Sequence, residues 1–259
     1  MSAIFGNLSN EGIEESQDRL GGFAVRESDA YLGTIKAAYV GQSANSKARS
    51  VTVIAVLKET ETHLGGEYRE TFWVTNRDDK NFYVDTKDGN KKKPLAGFTI
   101  VDDLCQVTIG KGLADVVTED KVINVYDPDQ KKELPKSVPM IVEMIDTVAT
   151  FGILKKLKNK QAKDANGTYQ DTPDSRDENE TDKIFHHPSN LTMAEARNKK
   201  NATFYGAWVE KNRGKTRDQR TIKDGVGNGQ SGRTGRPNGA PPKAGDTGAK
   251  TSSLFANAN

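Results

Sequence analysis

Aromatic rings and cations are interleaved over residues 67–98, EYRETFWVTNRDDKNFYVDTKDGNKKKPLAGF. Tyr68, Phe72, Trp73, Phe82 and Tyr83 share this stretch with Arg69, Arg77, Lys80 and Lys87, and Lys91, Lys92 and Lys93 follow. Rings stack on bases and cations track phosphates, the two contacts a surface for single-stranded nucleic acid requires. If residues 68–75 form a strand, Tyr68, Glu70, Phe72 and Val74 share one face. The other face then holds Arg69, Thr71, Trp73 and Thr75. Arg69 and Trp73 are placed there for a phosphate and a base. The residues alone leave open whether Trp73 is exposed or packs under a loop. In a short strand over 81–85, Phe82 and Val84 are expected in the core and Tyr83 outside. Lys87 and Lys91 to Lys93 are placed on an adjoining loop. A second basic run, Lys155, Lys156, Lys158 and Lys160, reads either as the far wall of a basic groove or as a solvated strand end.

Signals for catalysis are weak by comparison. His186 and His187 are adjacent and cannot share a helix face, and no cysteine accompanies them, against a zinc site. Gly110-Lys111-Gly112 is too short for a phosphate-binding loop, and no nucleophile elbow occurs. The acidic cluster at Asp174, Asp177 and Glu178 falls in a stretch without periodicity, against a two-metal nuclease. A non-catalytic protein without cofactor or metal is expected.

Charge is nearly balanced over the 259 residues, at +2, so a polyanionic partner would be selected by local clusters. A hydrophobic content of 34% is low and suggests that part of the chain is not globular. The single cysteine, Cys105, excludes an internal disulfide framework and fits a reducing cytoplasm. Its setting FTIVDDLCQV reads as a buried helix. The start MSAIFGNLSNEG has neither the basic region nor the apolar run of a signal peptide, and no apolar stretch is long enough to span a membrane.

The elements that must position the rings are mostly strands. From Asp29, the residues Tyr31, Gly33, Ile35, Ala37 and Tyr39 alternate with Leu32, Thr34, Lys36 and Ala38, the period of two of a strand. Val51, Val53, Ala55 and Leu57 share one face of a strand over 49–58. Residues 64–66 read as a hairpin turn before the strand 67–75. Thr99 to Val107 has helical spacing at 100, 101, 104 and 107, with Thr99 as the expected N-cap. Strands are expected over 122–126, 137–144 and 147–157, with a turn at Asp127-Pro128-Asp129. Thr192 and Glu195 form a capping-box pattern for a helix over 192–200, and 202–209 is expected to pack.

A meander, one interposed helix and further strands is the order of an OB-type barrel. The fold expected is mainly β: an OB-like antiparallel barrel with one interposed helix, a short helical C-terminal element and a disordered tail. A β-sandwich or SH3-like barrel stays open. The expected division is an N-terminal arm over 1–28, the core over 29–160, a linker loop over 161–182, a packed element over 183–210 and a tail over 211–259. That tail has ten Lys and Arg against three Asp, with nine Gly and three Pro, too little apolar surface to offset its ordering entropy. Leu254 and Phe255 are its only apolar patch and a candidate partner-binding site.

The strings AIFGNLSNEGIEESQDRLGG (3–22), FWVTNRDDKNFYVD (72–85), KKKPLAGF (91–98), AWVEKNRGKTR (207–217) and SLF (253–255) carry a resemblance. Over most of 1–217 the chain resembles the single-stranded DNA-binding proteins of short-tailed phages of the type that packages a giant virion RNA polymerase. The resemblance implies an OB-like core binding single-stranded DNA, a part in phage replication and recombination, contacts with polymerases, and residence in the cytoplasm of an infected host cell. A polymerase-recruiting cofactor with secondary DNA binding is the alternative. Whether the chain forms a homo-oligomer stays open. The tail departs from many such proteins: it is basic, so recruitment through an acidic tail is not expected.

Overall fold

A computed structural model describes residues 25–127, 130 and 132–223, the side chains of 126 and 127 excepted. Strands β1 (Asp29–Gln42), β2 (Arg49–Leu57) and β3 (Gly66–Trp73) lead to the short pair β4 (Phe82–Asp85) and β5 (Lys91–Pro94). Helix α1 (Ala96–Ile109) follows, then β6 (Glu119–Asp127), β7 (Lys132–Met140), β8 (Val148–Lys163) and β9 (Tyr169–His186). Helices α2 (Met193–Arg197) and α3 (Phe204–Asn212) and strand β10 (Thr216–Asp218) complete the described chain. The fold is mainly β and almost wholly antiparallel, as the alternation implied. No described helix is long and apolar enough to cross a membrane.

The main sheet runs β9-β8-β1-β2-β3, with α1 between β3 and β8 in the chain. This is the strand order of an OB-type barrel. No ladder joins β3 to β9 among the described residues; side chains link them instead. The Tyr68 hydroxyl lies 3.2 Å from Thr181 Oγ1 and donates to Glu70 Oε2 at 2.6 Å, and the Thr181 amide donates to the same oxygen at 2.9 Å. Inside the curled sheet lies the main core, with Tyr31, Ile35, Val51, Val53, Leu57, Phe72, Phe151 and Ile153. Helix α1 adds Ile100, Val101, Leu104 and Cys105. Burial pushes the Cys105 thiol up to about 12, and its Sγ lies 3.7 Å from Met144 Sδ, so it is a core residue as expected.

Strand β1 departs from strict alternation. Its register with β2 shifts between Ile35 and Ala37. Tyr31 and Ile35 point into the main core, but past the bulge Ala38 takes that side. Ala37 and Tyr39, expected on the same face as Tyr31, pack on the opposite face with Val138 and Met140 of β7. The bulge thereby seats the β6–β7 hairpin on the outside of the sheet.

Other expectations are corrected. Thr99 lies inside α1, where its hydroxyl donates to the Leu95 carbonyl at 3.2 Å; Leu95 is the N-cap and has no capping side chain. The strand expected over 137–144 ends at Met140, and Val142–Met144 form a 3-10 turn. Residues 161–182 are not a linker loop. They are the tip and most of the second strand of the β8–β9 hairpin. The acidic run forms a strand because β8 offers it lysines: Lys156 pairs with Glu180 and Lys158 with Glu178, and Lys155 Nζ lies 3.8 Å from Asp177 Oδ2. Opposite charges facing each other across antiparallel strands stabilise the pairing. Pro173, which cannot donate to a ladder, sits where the register is interrupted between Asn159 and Gln161.

The packed chain also runs beyond residue 210. Helix α3 ends at Asn212, and β10 pairs in parallel with Lys155–Leu157 of β8, along the edge that β1 leaves open. The arm expected over 1–28, up to residue 24, the turn at Pro128 and Asp129, and the tail from 224, with Leu254 and Phe255, lie outside the described residues.

The capping box at Thr192 forms as its pattern implied, and one carboxylate serves two helices. Glu195 Oε2 accepts from the Thr192 amide at 3.0 Å, while Oε1 accepts from the amides of Thr203 at 2.9 Å and Phe204 at 2.8 Å. The Thr192 amide, with these other donors, holds its carboxyl down from 4.5 to about 2. A depressed folded value means stability fully present above 4.5 and lost as pH falls toward 2. Glu195→Gln should therefore melt below the parent at pH 7, and the gap should close on acidification through that window. A constant gap across it, in calorimetric melts, would show that the charge contributes nothing.

Candidate nucleic-acid interface

Strand β3 divides its side chains as alternation requires. Tyr68, Phe72 and Val74 are buried, and Arg69, Thr71 and Trp73 point away from the core. Trp73 keeps 50% of its surface exposed, which settles the question its type left open. The strand is fixed from both sides. Thr71 Oγ1 lies 2.8 Å from Thr52 Oγ1 of β2 on the outer face, and Trp73 lies opposite Ser50. Behind Trp73 the first turn of α1 comes close: a Cβ at Gly97 would stand 2.4 Å from the Trp73 carbonyl oxygen, so only glycine fits.

Next to this face is a groove of about 560 Å³ between the outer side of β1–β3 and the β6–β7 hairpin. Arg49, Arg69 and Lys136 line it together with Tyr39, Thr52 and Val125. The Arg69 guanidinium donates to the Tyr39 hydroxyl, with its carbon 6.0 Å from the Tyr39 ring centre. Arg49 is anchored by Asp79 at 3.0 Å. A second hollow, of about 510 Å³, shares Val40, Arg49 and Pro139 with it and is lined further on by Val51, Val74 and Phe98. Arg49 lines both hollows.

Strands β4 and β5 form a separate ribbon, paired Phe82 to Pro94, Tyr83 to Lys93, Val84 to Lys92 and Asp85 to Lys91. Asn76 ties its base to the end of β3, with Nδ2 donating to the Phe82 carbonyl at 3.2 Å. Tyr83 is 48% exposed, as expected, but Val84 is also exposed and not core. Val84 belongs to none of the core clusters, and Phe82, also expected in the core, is only half-buried. Lys91, Lys92 and Lys93 are on this strand and not on a loop. Lys92 Nζ lies 4.8 Å from the Phe82 ring centre, a cation–π contact. Lys93 bridges Asp85 at 2.6 Å and Asp88 at 3.3 Å, and Lys91 pairs with Asp88 at 3.0 Å. Arg77 and Lys80 are exposed in the connection between β3 and β4, and Lys87 is exposed at the ribbon turn.

The structure thus leaves Arg69, Trp73, Arg77, Lys80, Tyr83, Lys87, Lys91 and Lys92 exposed between the outer face of β3 and the ribbon, with Lys93 half-buried among Asp85 and Asp88. It does not add Lys155, Lys156 and Lys158 to them. Lys156 is 4% exposed and paired with Glu180; Lys155 holds Glu27 at 2.7 Å; Lys158 holds Glu178. These lysines secure the β8–β9 hairpin. Arg49, Lys136 and Tyr39 of the groove were not singled out in the sequence. Arg49 stood at the start of a legible strand, but the bulge that turns Tyr39 outward left no sequence signal.

No family model, curated protein or solved structure matches this chain.

No group of three His, Cys, Asp or Glu is placed to hold a metal ion among the described residues. One buried and one half-buried carboxylate brace the sheet. Asp29, 2% exposed, accepts from Arg213 Nε at 2.7 Å and lies 2.9 Å from His63 Nε2, tying the β2–β3 connection and the end of α3 to β1. Glu70 sits behind β3, and burial raises its carboxyl above the ordinary range. A raised folded value means that ionised Glu70 opposes folding at neutral pH, and that this cost fades as pH falls toward 4.5. Glu70→Gln keeps an oxygen for Tyr68 and Thr181. It should be at least as stable as the parent in denaturant at pH 7, with the advantage gone near pH 4.5. A clear loss at pH 7 would mean that the charge itself secures the seam between β3 and β9.

Proposed function

We propose that the protein binds single-stranded DNA without sequence preference and without catalysis, with β3, the adjoining groove and the β4–β5 ribbon as its interface. The observation that carries this reading is Trp73, a half-exposed indole on the outer face of a sheet, beside Arg69 and a groove with three cations on its walls. An aromatic in a strand is ordinarily core; one held outward by rigid pairing is a platform for stacking. Tyr83 supplies a second ring, and Arg77, Lys80, Lys87 and the ribbon lysines supply charge around it. The bases stack and the backbone follows the cations, so every base is accepted.

The resemblance to phage single-stranded DNA-binding proteins supports the same reading and supplies its setting, phage DNA replication and recombination. The polymerase-recruiting alternative depends on the tail, which lies outside the described residues, and no observed feature favours it over DNA binding.

Stacking contributes about 1–3 kcal/mol per base. Trp73→Ala with Tyr83→Ala should therefore weaken binding to oligo-dT by roughly tenfold or more per ring while leaving the melting temperature near that of the parent. For single strands the log–log salt slope changes by about 0.7 for each phosphate contact. Arg49→Ala, Arg69→Ala and Lys136→Ala should each flatten it by about that amount. Anisotropy titrations of labelled oligo-dT and the matching duplex at two salt concentrations test both points. Equal, weak binding to the two forms, or parental affinity in the double ring variant, would end the proposal.

A further inference from the structure

A second ring stands among cations toward the other end of β1. Phe204 opens α3 with 41% of its surface exposed, and Lys183 Nζ of β9 lies 5.9 Å from its ring centre. Phe204, Ala207 and Lys211 follow one another at helical spacing, and with Asp182, Trp208 and Arg217 they line a hollow of about 280 Å³. The support beneath is stiff. Trp208 is buried, donates from Nε1 to Asp182 Oδ2 at 2.7 Å, and packs edge-on to Phe185 at 6.0 Å. A Cβ at Gly152 would come 3.0 Å from the Trp208 ring, so the indole lies against the backbone of β8. Glu195 holds the Phe204 amide, which fixes where the exposed ring begins.

The charge here is one-sided. Lys183 lies over the ring, and Lys211 and Arg217 line the hollow with it. Among the described residues the only carboxylate lining the hollow is Asp182, already engaged by Trp208 and lying 3.9 Å from Arg217. Asp103 of α1 also interacts electrostatically with Lys183. An exposed ring framed by cations repeats the arrangement around Trp73 and Arg69, on the same outer surface of the sheet. Strand β1 connects the two places. Ala30 packs beneath α3, and Tyr39 borders the groove. Nine residues of strand at about 3.3 Å each separate them by roughly 30 Å.

We propose that this patch is a second contact for the same DNA strand, with a base on Phe204 and phosphates on Lys183, Lys211 and Arg217. It rests on the groove being the primary site. A bound strand passes from the β6–β7 groove across the outer face of β1 to α3. Site size is then set by this span, within the range of roughly 4–16 nucleotides that OB-type modules cover.

The test uses the full chain and two labelled oligo-dT probes, one of about 5 nucleotides and one of about 20, to fall below and above that span. Phe204→Ala combined with Lys211→Gln should weaken the long probe about tenfold and the short probe less than about twofold, a loss of one stacked base and one phosphate contact. Trp73→Ala should weaken both. In the parent, a long probe carrying photoreactive thymine analogues should crosslink within 203–213 as well as within β3. If the Phe204 and Lys211 variant binds the long probe as the parent does while Trp73→Ala does not, the second contact is overturned and the groove reading stands; the patch would then suit an acidic peptide. Crosslinks to β3 with none in 203–213 would likewise overturn the second contact and leave the groove intact. If Trp73→Ala binds both probes as the parent does, the groove reading falls and the inference falls with it. Melting curves that overlay the parent exclude unfolding as the cause of any loss.

Discussion

The bulge between Ile35 and Ala37 turns β1 by one residue, and the division of the molecule into an inside and a working outside depends on it. A strand with strict alternation would bury Tyr31 and Tyr39 on the same face. With the bulge, Tyr31 and Ile35 fill the main core and Tyr39 emerges on the other side with Ala37. That outward pair gives Val138 and Met140 something to pack on, so the β6–β7 hairpin stays seated outside the sheet. The groove is the space left between that hairpin and the sheet. Without the bulge there would be no second cluster, no anchored hairpin, and no Tyr39 hydroxyl to position Arg69.

Charge is arranged by the same supply of neighbours. The lysines of β8 face a strand of carboxylates one ladder step away, and their charge is consumed in holding the hairpin together. The cations around Trp73 lie at the margin of the main sheet or beyond it, where fewer partners are in reach. Arg49 and Lys91 each meet a single carboxylate and Lys92 rests on the Phe82 ring, while Lys93 alone of the ribbon lysines bridges two. Exposed pairs of this kind contribute little to stability, so exchanging a carboxylate for a phosphate costs little. A net charge of +2 therefore conceals two populations: cations fixed in the fold and cations available to a partner.

Much of the fold could be read from the sequence where local rules act alone. The alternation of Val51, Val53, Ala55 and Leu57 located β2 and its buried face. The even and odd division of β3 separated Phe72 from Trp73. Thr192 and Glu195 formed the capping box that their spacing implied. What escaped depends on partners distant in sequence. The acidic run of β9 has no apolar periodicity because its pairing is chosen by lysines on β8. Val84 has the alternation of a half-buried strand but no core beneath it. Thr99 resembles an N-cap, yet α1 begins earlier because the Leu95 amide is already bound to the Asn81 carbonyl at 2.9 Å, which fixes the entry of the helix. Of the candidate site, the rings and cations of β3–β5 were legible as a cluster, and the groove walls from β1, β2 and β7 were not.

The outward rings carry a consequence for how the surface is maintained. Trp73 and Tyr83 expose about half of their area, and two such rings on a small β protein are sites for unwanted association unless the backbone around them is held and charge is placed nearby. Both conditions are met. Trp73 is locked by its ladder with β2 and by the close approach of Gly97, so it cannot fold inward to hide. Tyr83 lies across from Lys93 on a ribbon with lysines on both faces. The same cations that keep two identical surfaces apart by repulsion would, under the proposed function, attract the polyanion whose bases stack on the rings. One arrangement of residues thus both limits contact between copies of the exposed rings and fits the partner proposed for them.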